Sequence, residues 1–261
     1  MSDLERHQTI VELLSSQTFA SVRELQQTLG VSAATVRRDI DKLNDAGVAR
    51  KVYGGVAALE EQLWRRRPSP LPFVENRDLA VEQKRAIAQA AEGLVRDGSS
   101  VIVHAGSTCF TFGCRLALRN VRVFTNSMPL AAYLAENGTC HLTVGGGDIH
   151  REPGIVYDPA PGAPIHYAAQ FFVGALGVSS EGILESHPLL VRFVKEFSER
   201  ANEIIVLVDS SKFALRPPVV ALPMQRITTL ITDDGVSAAD ERMVRDQGVN
   251  LIIAETSAGP Q

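Results

Sequence analysis

The basic side chains that could bind a polyanion are concentrated in residues 31–57, VSAATVRRDIDKLNDAGVARKVYGGVA. Arg37 and Arg38 stand next to each other, and Arg50 and Lys51 form a second basic pair further along. Guanidinium groups bind phosphate oxygens and the edge of guanine, so this stretch is a candidate for contact with nucleic acid. The alternative interpretation is that an arginine pair on a helix is only solvated.

The spacing of the apolar residues decides which way these side chains point. Val36, Ile40 and Leu43 recur at helical spacing and predict a helix whose apolar side faces a core. At about 100° per residue, small and basic residues then lie on the opposite side, where they can approach base edges. The residues expected to contact DNA are Ser32, Ala33, Ala34, Thr35, Arg37, Arg38 and Lys42, followed by Arg50, Lys51 and Tyr53.

Capping signals place two further helices before this one. The motifs SDLE at 2–5 and SVRE at 21–24 both match a capping box, and Gly30 is a natural helix stop before Ser32 caps the third helix. The segment VARKVYGGV at 48–56 has the alternation and the glycine turn of a small β-wing. In this order, the elements predict a winged helix-turn-helix that binds DNA.

A second set of candidate residues lies where apolar strands end. The turn at 104–110, HAGSTCF, opens a helix and offers backbone N–H groups to a phosphate. Similar turns are TNS at 125–127, GGG at 145–147 and DSSK at 209–212. Ligands of open α/β sheets bind beyond the carboxyl ends of the strands, so we expect these turns to converge on a phosphorylated small molecule. A purely structural role for each single turn is the alternative.

The sequence lacks the patterns that would indicate catalysis or a bound cofactor. GGG followed by Asp148 is not a dinucleotide fingerprint, and the histidines do not have metalloprotease spacing. Glu181 and Glu185, in SSEGILESH, are the one candidate carboxylate pair, and we expect that segment to be a surface loop. Cys109, Cys114 and Cys140 have no metal-ligand spacing and are expected to be reduced thiols. We therefore predict no catalytic residues, no metal and no cofactor.

The rest of the chain alternates strand and helix patterns. Apolar runs at 100–104, 121–125, 141–145, 170–174, 203–208, 228–232 and 250–254 predict strands. Helical patterns begin at Leu79 and lie near 109–118, 128–136, 187–200 and 237–247. This alternation predicts an α/β domain with a mainly parallel sheet covered on both faces. The expected domains are residues 1–57 and 74–257, with a proline-containing linker at 58–73.

Composition and charge limit the remaining possibilities. The net charge is −4, but residues 1–67 hold 10 Lys and Arg against 9 Asp and Glu, and residues 68–261 hold 16 against 21. A local basic surface on an acidic protein favours a specific polyanion site over a general coat. The sequence has no apolar run near 18 residues and no signal-peptide pattern at its start, so we expect a cytoplasmic protein without a membrane partner.

With these motifs, the sequence resembles the DeoR family of bacterial transcriptional regulators. VSAATVRRDIDKL followed by YGG resembles the family's recognition helix and wing, and AGST, TNS, GGG and DSSKF resemble its effector domain in order. The resemblance implies a Rossmann-like sensor domain, similar to ribose-5-phosphate isomerase and CoA-transferase folds, that binds a phosphorylated sugar. Its implied effector residues are Gly106, Ser107, Thr108, Thr125, Asn126, Ser127, Gly145, Gly146 and Lys212. Within the family, these motifs look closest to the ascorbate-utilisation repressors.

The predicted function is that of a repressor of a sugar or sugar-acid catabolic operon, controlled by a sugar phosphate. One recognition helix buries little area, so a homo-oligomer, dimer or tetramer, is expected on a double-stranded operator. An isomerase or transferase with a DNA-binding appendage is the first alternative. A protein–protein adaptor that uses the winged helix as an interaction module is the second.

Overall fold

The computed structural model describes residues 3–16, 19–46, 48–52, 54–57, 73–151, 153–158 and 166–256. The chain divides into two compact units, Met1–Arg67 and Pro68–Gln261. The predicted linker at 58–73 lies outside the described residues except for Phe73, which is the first residue of a helix. No helix among the described residues is long and apolar enough to cross a bilayer.

The N-terminal unit consists of three helices and a small antiparallel sheet. The helices are α1 (Asp3–Ser16), α2 (Val22–Leu29) and α3 (Ala33–Asp45), and the strands are β1 (Phe19–Ser21), β2 (Arg50–Val52) and β3 (Gly55–Ala57). Strands β2 and β3 form the predicted wing, and β1 pairs with the other side of β3. The predicted order of two helices, a turn and a wing is confirmed.

The ends of these helices follow from their capping residues. The hydroxyl of Ser21 accepts a hydrogen bond from the backbone N–H of Glu24, whose carboxylate accepts one from the Ser21 N–H, so the second predicted capping box is present. Gly30 ends α2 with a φ of 66°, a left-handed conformation that favours glycine. Ser32 caps α3 as predicted. The first predicted capping box begins at Ser2, outside the described residues.

A single apolar cluster holds the N-terminal unit together. Val36, Ile40 and Leu43 of α3 are buried, as their spacing predicts, and they pack with Ile10 of α1 and Leu25 of α2. Burying side chains of this size contributes about 1.5–3 kcal/mol each, before the cost of chain entropy. The opposite side of α3 is therefore left facing solvent.

The C-terminal unit is built on a seven-stranded parallel sheet. Its strands, numbered in chain order with those outside the sheet, are β4 (Ser100–Val103), β5 (Arg122–Thr125), β6 (His141–Val144), β7 (Asp148–His150), β8 (Ile155–Tyr157), β9 (Ala168–Val173), β10 (Gly177–Ser179), β11 (Gly182–Glu185), β12 (Ala201–Leu207), β13 (Val219–Pro223), β14 (Thr229–Asp233) and β15 (Asn250–Ala254). The order in the large sheet is β15-β14-β12-β9-β4-β5-β6, with parallel pairing throughout. All seven predicted strands are present in it.

Helices cover both faces of this sheet. They are α4 (Phe73–Arg77), α5 (Val81–Glu92), α6 (Ser107–Arg115), α7 (Met128–Asn137), α8 (Pro188–Ser198) and α9 (Ala238–Asp246). One apolar core contains residues of α5, α6 and α7, and the other contains residues of α8 and α9. The predicted α/β class with a doubly covered parallel sheet is confirmed.

The expectation of a surface loop at SSEGILESH is wrong. The segment forms β10 and β11, an antiparallel pair that continues into β13. Glu185, at the end of β11, is only 6% exposed, whereas Glu181 is exposed, so the two do not form a carboxylate pair at the surface. The strands are only three and four residues long, which is too short for the alternation of apolar residues to reveal them.

Candidate DNA-binding surface and effector pocket

The solvent-facing side of α3 carries most of the residues predicted to contact DNA. Ala34, Arg37, Arg38 and Lys42 are exposed. Ser32 is also exposed, and its hydroxyl lies 2.9 Å from that of Thr35 at the start of the helix. Ala33 and Thr35 are partly exposed, and Tyr53 lies outside the described residues. The helix therefore presents small side chains at its first turn and cations further on.

Ion pairs divide these cations into two groups. Lys42 Nζ lies 2.7 Å from a carboxylate oxygen of Asp3, and Lys51 Nζ lies 2.5 Å from Asp41. The described part of the chain shows no such partner for a second group, Arg37, Arg38 and Arg50. The positive charge that remains free for a polyanion is thus carried by arginines, whose planar groups suit phosphate and guanine.

A buried ion pair on the other side of α3 was not predicted. Asp39 is 1% exposed, and its carboxylate accepts hydrogen bonds from Arg6 Nε at 2.7 Å and Nη2 at 3.1 Å. His7 Nε2 lies 3.2 Å from the same carboxylate. Burial raises the pKa of Asp39, but the hydrogen bonds and charge of Arg6 outweigh it and lower the pKa overall. The pair joins the recognition helix to α1, and the signal for it was the position of Asp39 on the buried stripe.

In the C-terminal unit, the ends of several central strands open into a pocket that we call the α6 pocket. Among the predicted effector residues it is lined by Gly106, Ser107, Thr108 and Lys212, and its other polar residues include His104 and Glu185. Apolar residues of β12 and of the segment after β9 complete the wall. The site lies beyond the carboxyl ends of parallel strands, where ligands of open α/β sheets bind.

The N-terminus of α6 forms one end of this pocket. Gly106 has a φ of 126°, which an L side chain rarely adopts, and this turn leads the chain from β4 into the helix. The first N–H groups of a helix have no partners within it, and the helix dipole adds partial positive charge there. The helix end by itself suits an anion such as phosphate. Lys212, in a short 3₁₀ helix, adds a full charge to the pocket lining, with Nζ 3.8 Å from Asp209.

The other polar groups of the α6 pocket are buried. His104 is 2% exposed, and burial lowers its pKa to about 4. Glu185 lies at the end of β11. Burial raises its pKa, although hydrogen bonds from the Ser186 and His187 N–H groups and the charge of Lys212 partly oppose the effect. The pocket therefore combines a lysine with a neutral imidazole and an acid on which that lysine acts.

Helix α4 supplies a further part of the wall through Phe73 and Asn76. Behind it, Lys84 of α5 is 2% exposed and donates hydrogen bonds to the carbonyl oxygens of Asn76 and, at 2.7 Å, Leu79. Burial lowers the pKa of Lys84, while the charge of Asp209 opposes that effect. A buried ammonium thus fixes the turn that follows α4.

Thr125, Asn126 and Ser127 are buried and do not line the α6 pocket. The Thr125 hydroxyl donates to the carbonyl of Val103 at 2.7 Å, and the Ser127 hydroxyl caps α7. Asn126 Oδ1 accepts a hydrogen bond from the Ala105 N–H at 3.1 Å, beside the pocket. Their observed contacts support the turn that carries Ala105 and Gly106.

Gly145 and Gly146 lie in a different place. They line a second cavity, which we call the aromatic pocket, together with Phe124, Tyr157, Phe193, Phe197 and Arg200. The expected convergence of all four turns is therefore not observed, because the strand before Gly145 is β6, at the edge of the sheet. Only the turns after β4 and β12 meet in the α6 pocket.

Catalytic and metal chemistry find little support in the described residues. No group of three or more His, Cys, Asp or Glu side chains there could hold a metal ion. Burial raises the pKa values of the Cys109 and Cys114 thiols to about 12, so neither is a thiolate at neutral pH.

A helix-turn-helix with exposed arginines, followed by an α/β unit with a polar pocket, defines a ligand-responsive DNA-binding regulator. The DeoR-like helix-turn-helix domain matches residues 6–62, and the DeoR C terminal sensor domain matches residues 79–234. The chain belongs to the DeoR family.

The curated relatives include the HTH-type transcriptional regulator UlaR of Escherichia coli strain K12 / DH10B and that of Shigella dysenteriae serotype 1. Each is 31% identical over 253 residues, which are 97% of this chain and 99% of the relative. The match covers nearly the whole length of both chains, and the relatives are named transcriptional regulators. The alternative of an isomerase or transferase with a DNA-binding appendage is therefore not favoured.

Solved structures show weaker likeness. Ribose 5-phosphate isomerase A of Methanocaldococcus jannaschii is 22% identical, with a TM-score of 0.37, and the match covers 50% of this chain and 53% of that one. The eIF2B beta subunit of Chaetomium thermophilum is 15% identical, with a TM-score of 0.40, and covers 57% and 48%. At these scores the likeness carries no argument about function.

Proposed function

We propose that this regulator represses a catabolic operon for a sugar or a sugar acid and that a phosphorylated sugar in the α6 pocket controls it. The observation that carries the DNA-binding part is the exposed arginine side of α3. Arg37 and Arg38 face solvent without a carboxylate partner among the described residues, while the buried Asp39 on the other side is paired. A helix held in this way presents two guanidinium groups to a major groove.

The proposed contacts follow from this geometry. Arg37 and Arg38 read bases or phosphates, and Arg50 on the wing contacts the backbone. Lys42 and Lys51 exchange their carboxylate partners for phosphates when DNA is bound, because a strand of phosphates competes with an exposed ion pair. Ser32, Ala33, Ala34, Thr35 and Tyr53 complete the proposed surface.

The proposed effector site is the α6 pocket. Its phosphate end consists of Gly106, Ser107, Thr108 and Lys212. Thr125, Asn126 and Ser127 act from beside it by fixing the turn at Ala105. Gly145 and Gly146 line the aromatic pocket, and a role for them requires a ligand part that reaches there. No catalytic step is proposed.

The organisation of the active protein is part of the proposal. One recognition helix buries little surface, so we propose that a dimer or tetramer binds repeated half-sites. The proposed domains are residues 1–57 and 74–257, joined by the linker at 58–73. Because the target is chromosomal DNA, the proposed location is the cytoplasm.

The experiment begins with selection of duplexes from a random library by the full-length protein, since the operator is not known. Arg38→Ala is expected to weaken binding to the selected sequence by about 10- to 100-fold, because one good base contact contributes about 1–3 kcal/mol. Arg122→Ala, an exposed arginine on β5, is the matched control. If the double variant Arg37→Ala, Arg38→Ala binds the selected duplex as tightly as wild type, the assignment of the recognition helix fails.

A further inference from the structure

A second polar cavity lies at the amino ends of the strands, whereas the α6 pocket lies beyond their carboxyl ends. Its volume is about 500 Å³, and the two cavities share no lining residue among those described. Most of its lining side chains are polar, and several stand at or near the start of a strand, as Glu203 does in β12, Thr229 in β14 and Asn250 in β15. We call this cavity the amino-end pocket.

Gln170, on β9, is the buried polar residue of the amino-end pocket. It is 8% exposed, and its Nε2 donates hydrogen bonds to the Leu94 carbonyl at 3.1 Å and to Glu203 Oε2 at 2.9 Å. Because both partners are acceptors, the opposite orientation of the amide would place oxygen against oxygen. Its Oε1 is therefore the atom left without a partner among the described residues. Native proteins rarely leave a buried polar atom unpaired, so this oxygen indicates a missing hydrogen-bond donor.

The amino-end pocket also holds two opposite charges that are not paired. Arg96 and Glu203 both line it, both are exposed, and neither has an ion-pair partner in the part of the chain that the structure describes. Arg119, which donates a hydrogen bond to the Val95 carbonyl, lies by contrast 2.7 Å from Asp97. Since Arg96 and Glu203 do not pair with each other either, a ligand that carries both a cation and an anion would neutralise the two.

A free α-amino acid carries the groups that these residues lack. Its ammonium has three N–H donors and a positive charge, which suit the Glu203 carboxylate and the Gln170 oxygen, and its carboxylate suits the Arg96 guanidinium. The Thr229 hydroxyl and the Asn250 amide in the same lining favour a polar, uncharged side chain. We propose that the amino-end pocket is a second ligand site, for a free α-amino acid of this kind. The inference goes beyond the proposed function, which concerns the α6 pocket.

The test compares amino acids with derivatives that lack one charge. Titration calorimetry of the full-length protein at pH 7 uses L-glutamine, L-asparagine, L-serine and L-threonine, and at least one of them is expected to bind. The N-acetyl and the C-amide derivative of that amino acid are each expected to bind at least about tenfold more weakly, because each loses one charged hydrogen-bonding group. D-Glucose, which offers hydroxyl groups and no charge, is the reference for a sugar site.

Two variants separate the contributions of the charges. Glu203→Gln keeps an oxygen that accepts from Gln170 and removes the charge, so it is expected to weaken the amino acid at least about tenfold and its N-acetyl derivative much less. Arg96→Gln is expected to weaken the amino acid more than its C-amide derivative. Glu181→Gln and Arg122→Ala, at exposed positions outside the pocket, are the matched controls and are expected to leave the affinities unchanged.

Each contrary outcome overturns the inference at a different step. If none of the four amino acids binds with a dissociation constant below about 10 mM, the pocket is not a site for this class of ligand. If a derivative or D-glucose binds as tightly as the amino acid, or Glu203→Gln has no more effect than Glu181→Gln, the assignment of the two charges is wrong. If Lys212→Ala abolishes the binding, the amino acid occupies the α6 pocket instead. The proposed effector function of the α6 pocket stands or falls separately.

Discussion

Asp39 in the N-terminal unit and His104 in the C-terminal unit are both buried ionisable residues, and their surroundings differ in one respect. Asp39 accepts two hydrogen bonds from Arg6 and lies beside His7, whereas both nitrogens of His104 lack partners among the described residues. The first arrangement is completed within the chain. The second leaves both ring nitrogens without such a partner among the residues that the structure describes.

The two units also differ in where groups without a protein partner lie. Among the residues that the structure describes, the buried side-chain atoms without a hydrogen-bond partner are in the C-terminal unit, on His104, Asn126, Gln170 and Thr232, and of these only His104 lines the α6 pocket. In the described part of the N-terminal unit, the charged groups without an ion-pair partner are instead exposed arginines on the side of α3 opposite to Asp39.

The largest change in stability is expected from breaking the buried ion pair between Asp39 and Arg6. Asp39→Ala removes the partner to which Arg6 donates two hydrogen bonds and leaves Arg6 with Asp3, so it is expected to destabilise the N-terminal unit by more than an exposed ion pair contributes, that is, by more than about 1 kcal/mol. Hydrogen exchange of the α3 amides in the full-length protein measures this, because it reports on one unit separately. Asp41→Ala removes the partner of Lys51 from an exposed ion pair, and about 1 kcal/mol or less is expected for it. If Asp39→Ala and Asp41→Ala lower the stability of the N-terminal unit equally, the buried pair is no stronger than the exposed one and the comparison fails.

The next prediction concerns His104 and the dependence of the stability of the C-terminal unit on pH. Below pH 6.5 the unfolded chain binds a proton at His104, while the folded protein remains unprotonated there until its pKa of about 4. The unfolded state binds more protons in this window, so the stability of the C-terminal unit falls as the pH drops from 6.5 to 4, by about 3 kcal/mol from this residue.

His104→Leu should remove this contribution. Calorimetric melting of wild type and variant at pH 7 and at pH 4.5 measures the difference, and the gap between the two proteins should grow in favour of the variant at the lower pH. A gap that is the same at both pH values would show that His104 is not held neutral by burial.

The smallest expected effect is on the salt dependence of DNA binding. It tests the distinction between exposed cations with and without a carboxylate partner. Arg50 has no carboxylate partner among the described residues, and Arg50→Ala is expected to lower the slope of log affinity against log salt by about 0.9, with the sequence preference unchanged. Lys51→Ala is expected to change the slope less, because Lys51 gives up its ion pair with Asp41 to bind phosphate. If Lys51→Ala lowers the slope of log affinity against log salt more than Arg50→Ala does, the ion pair of Lys51 does not limit its binding to phosphate.

Some of this organisation is predictable from the sequence for simple reasons. The period of Val36, Ile40 and Leu43 fixes the direction of Arg37 and Arg38, because helical geometry leaves one buried side. Apolar runs identify the strands of the parallel sheet because both faces of each strand are buried. The turn from β4 through Gly106 into α6 was predictable because it depends only on a strand, a glycine and a helix, and the phosphate site at that turn stays a prediction.

The remaining features depend on contacts between distant parts of the chain. Arg6 and Asp39 are 33 residues apart, and no local pattern pairs them. Gly145 was expected near Gly106 because both follow strands, but the order of strands in a sheet is not encoded in the strand itself. The burial of Glu185 was missed because β10 and β11 are too short to show a period.

The position of α4 has a consequence for the α6 pocket itself. Helix α4 begins the described part of the C-terminal unit, and its residues Phe73 and Asn76 are part of the pocket wall. Lys84 holds the turn that follows the helix by hydrogen bonds to two carbonyl oxygens. A molecule that occupies the pocket would therefore touch a five-residue helix whose far end is anchored by a buried amine, so occupancy and the placement of this short helix are linked within the C-terminal unit.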